Sequence, residues 1–127
     1  MKGFVTYRGG KSVNATVERA IEEIQALGLT LFARVDHAAM AEDAGLALRP
    51  TQLLIFGNPR LGTPLMNMLP TAAIDLPLKL LIWAGEDGVR VGYNDPAWIG
   101  ARHGGGRSAP VGGMADALAA ITAASAG

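Results

Sequence analysis

Leu78-Lys79-Leu80-Leu81-Ile82-Trp83-Ala84-Gly85-Glu86-Asp87-Gly88-Val89-Arg90-Val91-Gly92-Tyr93 is the stretch that decides the fold. Its first seven residues form a short apolar run rich in strand formers, interrupted only by Lys79. Gly85 to Gly88 supply a hairpin loop, and Val89 to Tyr93 return as the paired strand. Two strands joined this tightly are antiparallel, because a parallel pair needs a crossover of a dozen residues or more. The chain therefore does not follow the regular strand–helix alternation of a parallel sheet.

Outward from this hairpin the pattern stays mixed. Asp95-Pro96 is a cap followed by a proline, the start of a helix that runs to about Arg102, with His103 at its end. Upstream, Gln52 to Phe56 reads as a strand ending at Gly57-Asn58-Pro59. Thr63-Pro64 reads as the start of a short helix carrying Leu65, Met66, Met68 and Leu69 as far as Pro70. Residues 3–8 alternate as a strand. Ser12 caps a helix whose apolar stripe is Val13, Val17, Ala20, Ile21, Ile24 and Leu27, closed by Gly28. Leu29 to Asp36 alternates as a strand, and residues 37–44 are helical until Gly45. Residues 104–113, with five glycines, read as a loop or short linker, and Met114 to Ala124 as a C-terminal helix. The sum is an α+β two-layer sandwich: an antiparallel-rich sheet of about five strands packed against four or five helices in a single domain, residues 1–127.

Composition removes several classes of function. The 127 residues are 50% hydrophobic and 17% charged, too apolar for a disordered linker. Eleven basic and eleven acidic residues cancel, which argues against nucleic acid as a partner. With no cysteine, thiolate chemistry and disulfides are excluded. Two histidines, His37 and His103, cannot form an all-histidine metal site. No cofactor and no stoichiometric metal is expected. No apolar run reaches the roughly 20 residues of a membrane span, and Met1 to Arg8 carries no signal-peptide core, so the expected compartment is the cytoplasm. Large apolar residues such as Met66, Met68, Trp83 and Trp98 in a chain of zero net charge point to a homodimer.

Three polar groups are candidates for chemistry. Asp36-His37 stands where a strand passes into a helix: Asp36 is either the helix cap, the commoner role, or a partner that orients His37 as an acid–base group. The loop Gly57-Asn58-Pro59-Arg60-Leu61-Gly62-Thr63-Pro64 is either a rigid turn or a close backbone approach leading into an anion-friendly helix start. It is neither a Walker loop nor a dinucleotide fingerprint. Lys79 in an apolar strand either reaches an edge or is partly buried beside Asp75 with a tuned pKa. Taken together, His37, Asn58, Thr63 and Lys79 are expected around one cleft, with the first backbone N–H groups after Thr63 pointing into it.

Longer motifs bind these groups together. Val35-Asp36-His37-Ala38-Ala39, Ala44-Gly45-Leu46 and Leu48-Arg49-Pro50-Thr51 form one block. Ile55-Phe56-Gly57-Asn58-Pro59 with Gly62-Thr63-Pro64-Leu65-Met66, then Asp75-Leu76-Pro77-Leu78-Lys79, then Tyr93-Asn94-Asp95-Pro96 complete it. In these motifs, over roughly residues 10–104, the chain resembles the domain of unknown function 302 family. The resemblance implies a small α+β domain, often homodimeric, with no agreed activity; some members are exported. Three functional readings follow. One is a homodimeric small-molecule-binding (anion-binding) module using His37, Asn58, Thr63, Asp75 and Lys79. Another is an enzyme with Asp36 and His37 as its acid–base pair. The third is a protein interaction module without a ligand.

Overall fold

The structure is a computed structural model and describes residues 1–105 and 108–127. Five strands, β1 (Phe4–Arg8), β2 (Thr30–Asp36), β3 (Thr51–Gly57), β4 (Leu78–Gly85) and β5 (Gly88–Asn94), form one sheet in the order β1-β5-β4-β3-β2. Every neighbouring pair is antiparallel. The predicted hairpin is present, with Gly85 opposite Gly88. The five helices are α1 (Val13–Ala26), α2 (His37–Asp43), α3 (Pro59–Met68), α4 (Pro96–Arg102) and α5 (Ala109–Ala126), and a 3₁₀ turn spans Pro70–Ile74. The expected α+β class with an antiparallel sheet is therefore what the chain adopts.

The core lies between one sheet face and the helices. On β3 and β4 every second residue is buried: Gln52, Leu54 and Phe56, then Leu78, Leu80 and Ile82. From the helix side Val17, Ile24, Leu65, Leu118 and Ile121 meet them, all nearly inaccessible. Burying each such side chain contributes about 1.5–3 kcal/mol before entropy is subtracted. A polar brace ties α1 to the sheet: Arg34 donates to Gln52 Oε1 (2.8 Å), Glu18 Oε1 (2.8 Å) and Asn14 Oδ1 (3.1 Å).

Two expected boundaries move. The helix expected from Thr63 starts at Pro59, with Asn58 as its cap. Asn58 Oδ1 accepts from the Leu61 N–H at 2.9 Å, and Pro64 then falls inside the helix. The earlier start carries Leu61 as well as Leu65 onto the core face; a start at Thr63 would leave Leu61 outside it. The stretch 104–113 is also not wholly a loop. Ser108 Oγ accepts from Val111 N–H, and α5 begins at Ala109. Val111 and Met114, buried and three residues apart, extend the apolar stripe of Leu118 and Ile121 upstream through Gly112 and Gly113. Gly106 and Arg107 of that stretch lie outside the described residues.

The outer sheet face carries no alternation of apolar and polar residues. Leu53, Ile55, Leu81 and Trp83 sit between the buried positions of β3 and β4, half-buried. Leu53 is opposite Leu81, Val35 is opposite Leu53, and the Phe4 and Trp83 ring centroids are 6.2 Å apart. The Phe4 ring lies over Gly92, where any Cβ would come within 2.5 Å of it.

Candidate functional site

The antiparallel register divides the polar candidates between the two ends of the sheet. Asp36 pairs with Gln52 at one end of β3, and Thr30 pairs with Gly57 at the other. Five residues of strand separate those positions, about 17 Å at 3.4 Å per residue. Asp36 and His37 therefore lie at one end, while Asn58, Thr63, Asp75 and Lys79, the second residue of β4, belong to the opposite end. The expected single cleft around His37, Asn58, Thr63 and Lys79 does not form.

At the Asn58 end a cavity of about 280 Å³ opens between α3, the start of β4 and the floor of α5. Its walls are Phe32, Leu61, Met66, Leu76, Leu78 and Met114, and its polar contributors are Asn58 and Thr63. Phe32 reaches it through a bulge. The β2–β3 register skips from Leu31 to Ala33, so Phe32 has no cross-strand partner and is 53% exposed. Gly62 faces the same space; a Cβ there would make ordinary contacts with Met66 Cε at 3.5 Å and Leu76 Cδ1 at 3.9 Å.

This helix start holds no nest for an anion. Pro59 has no N–H, Leu61 N–H goes to Asn58 Oδ1, and Gly62 N–H goes to the Asn58 carbonyl. Only Arg60 N–H is left in the first turn. The N–H groups after Thr63 belong to the helix interior, because Thr63 is not the cap. Of the two readings of this loop, the geometry favours the rigid turn over the anion site: its N–H groups, Arg60 excepted, go to the Asn58 side chain and carbonyl.

The charged candidates of this end pair with one another. Asp75 accepts from Arg102 Nη1 at 2.8 and 2.9 Å and bonds His103 Nε2 at 2.5 Å; His103 Nδ1 bonds the Thr71 hydroxyl at 2.8 Å. The His103 and Asp75 side chains are 8% and 13% exposed. Arg102 also lies over the Trp98 ring, 5.8 Å from its centroid. Burial pushes the Asp75 carboxyl up, but the hydrogen bond from His103 and the charge and hydrogen bonds of Arg102 outweigh it, and its pKa falls below the usual value. Lys79 folds back onto the carbonyls of Asp75 (3.3 Å) and Pro77 (3.0 Å). Its pKa is lowered by burial, with the charge of Asp75 opposing. Neither Asp75 nor Lys79 lines the cavity; the apolar residues between them, Leu76, Pro77 and Leu78, do.

At the opposite end Asp36 is the cap of α2, with its Oδ1 accepting from Ala39 N–H at 2.9 Å. No hydrogen bond joins it to His37 among the described residues, so the geometry of an oriented acid–base pair is absent there. A wide groove of about 850 Å³ touches Asp36, Asn14, Glu42, Leu46, Leu48 and Gln52. His37 lines neither space. Among the described residues no group of three His, Asp or Glu is placed to hold a metal. Sequence reading missed Phe32, whose exposure depends on the bulge, and His103, which lies 28 residues from its carboxylate partner.

The profile of the family described as "Domain of unknown function DUF302" matches residues 5–125. The chain belongs to the DUF302 family. A crystal structure of an uncharacterized conserved DUF302 protein from Bacillus stearothermophilus superposes with a TM-score of 0.85, covering 98% of this chain and 99% of that one at 19% identity. That likeness concerns the fold. Closer in sequence are two proteins named as fluoride-specific ion channels. FluC 1 of Brucella suis biovar 1 is 46% identical over 110 residues, covering 86% of this chain and 43% of that protein. FluC 1 of Brucella abortus biovar 1 matches equally, over 41% of its length. The DUF302 chain thus spans about two fifths of these relatives. Among its described residues no helix is long and apolar enough to cross a membrane.

The Asp75 cluster carries a pH signature. A carboxyl whose pKa is depressed by folding adds stability above its unfolded value and loses it as pH falls through the lower folded value. The stability of the wild type against urea is expected to fall as pH drops below about 4, and this acid limb should be shallower in Asp75→Asn. At neutral pH the same substitution should cost about 1–3 kcal/mol, the worth of a charged hydrogen-bond partner. Equal acid limbs in the two proteins would remove Asp75 from this role.

Proposed function

We propose that this DUF302 domain is a small-molecule-binding module that acts as a homodimer, with its ligand in the cavity beside α3. The observation that carries the binding reading is the character of the cavity. It is concave and apolar, with two polar contributors, and its volume is close to the lower end of the usual range for ligand pockets, roughly 300 Å³. Its chemistry supports an apolar guest rather than the anion that is one reading of the loop. The acid–base reading of Asp36 and His37 lacks this support, because they stand at the far end of β3.

The outer sheet face supports self-association. An antiparallel sheet with one face in water ordinarily alternates apolar and polar residues. Here Leu53, Ile55, Leu81 and Trp83 form an apolar patch on the outer face of β3 and β4, with Thr51 and Lys79 at its two ends, while the helices cover the other face. A second copy laid on that face would cover it, and an isologous dimer is the commonest such solution.

A second reading rests on the two channel relatives. Because the domain matches about two fifths of proteins named for fluoride conduction, we infer that it serves beside a fluoride-conducting membrane protein rather than conducting ions itself. Cells lacking the chain should then grow more poorly than wild type in sodium fluoride and be restored by its expression. Unchanged growth would reject this link.

The binding reading is tested with toluene and methyl-labelled protein. The Met66 and Met114 methyl signals should shift on titration. In Gly62→Leu, which fills the space, they should not, while the melting temperature stays at or above wild type. Gly62→Ala should itself add about 1 kcal/mol through helix propensity. Shifts that persist unchanged in Gly62→Leu would place the guest elsewhere and reject the reading. For assembly, light scattering at micromolar concentration should give twice the chain mass. Leu81→Lys should halve it without loss of the circular dichroism of the fold; a wild-type monomer would reject the dimer.

A further inference from the structure

Asn58 is committed on one side of its amide and free on the other. Its Oδ1 must face Leu61 N–H, since only the oxygen of the amide can accept. The orientation of the amide is thereby fixed, and Nδ2 is its remaining, donating end. Among the described residues Nδ2 donates to no protein group. It is not sealed in the interior either: among the described residues the buried side-chain polar atom without a partner is Thr122 Oγ1, in α5. Asn58 lines the cavity, and no residue around that cavity is charged. A charged guest would leave water without compensation there. The first turn of α3 has already used its N–H groups, Arg60 excepted, so it gives an anion no substitute. A purely apolar guest would take the space without using the Asn58 donor.

We propose that the ligand is a neutral, mostly apolar molecule bearing one hydrogen-bond acceptor, such as an aryl ketone or ester, whose oxygen accepts from Asn58 Nδ2. This rests on the cavity reading and names the class of molecule that the same site takes. Asn58→Asp separates the two roles of the residue. A carboxylate caps a helix as well as an amide does, so Leu61 N–H keeps its partner, while the donor is replaced by an acceptor.

The experiment titrates toluene, acetophenone and benzoate into wild type and Asn58→Asp, followed by the Met66 and Met114 methyl signals. The expected result is that the ratio of acetophenone to toluene affinity falls about threefold to tenfold in the variant, the scale of one net hydrogen bond. Toluene serves as the internal reference within each protein, and benzoate should bind wild type more weakly than acetophenone. If neither toluene nor acetophenone binds, the cavity reading falls and this proposal falls with it. If both bind and their ratio is the same in the two proteins, or benzoate binds best, the cavity reading stands and this proposal is overturned.

Discussion

The antiparallel pairing of β3 with β4, from Thr51 opposite Trp83 to Phe56 opposite Leu78, is the constraint on which the rest depends. Antiparallel neighbours leave and re-enter the sheet at the same end. The chain between them, residues 58–77, must therefore be accommodated at that one end, and it folds there as α3 and the 3₁₀ turn. The helix starting at Asn58 can press Leu61 and Leu65 onto the core only if it lies against α5. The cavity is the space left between α3, the entry of β4 and Met114 on α5. The position of the site is thus a consequence of sheet register rather than of any local motif.

The same geometry separates charge from the cavity. The segment Asp75 to Lys79 enters β4 with three apolar residues, Leu76, Pro77 and Leu78, between two ionisable ones. Its apolar residues turn to the cavity, and its ionisable ones turn to Arg102, His103 and backbone carbonyls. Asp75, His103 and Lys79, the partly buried ionisable groups at this end, each have a partner, as desolvation demands. What remains around the cavity is apolar surface, one amide and one hydroxyl. The α4 C-terminus, where Arg102 and His103 stand, also meets the carboxylate that complements their charge. A polar cluster and an apolar cavity therefore share one end of the sheet without mixing.

Family membership fits this arrangement. This chain and the DUF302 protein of Bacillus stearothermophilus share their fold closely enough for a TM-score of 0.85 at 19% identity. The match to parts of proteins named as fluoride channels adds context that no side chain of this domain supplies. The domain presents an apolar cavity and an apolar patch on its outer sheet face.

Local chemistry was sufficient wherever one residue acts on its near neighbours. Ser12, Asp36 and Asp95 cap helices as their side chains and positions require, and Gly28 and Gly45 take the positive φ that ends a helix. The Gly85–Gly88 hairpin followed from the strand pattern alone. Where two local signals competed, the sequence could not arbitrate. Asn58-Pro59 and Thr63-Pro64 are both good helix starts, and the need to bury Leu61 chose the first. Gly112 and Gly113 read as loop, yet α5 continues through them because Val111 and Met114 gain burial on the core. The bulge that exposes Phe32 and the meeting of His103 with Asp75 leave no trace in linear spacing. The sequence by itself determined the elements, most of their caps and the antiparallel class, because those depend on contacts a few residues apart. Only the tertiary structure decided that His37 and Asn58 occupy opposite ends of the sheet, because strand register acts between residues far apart in the chain.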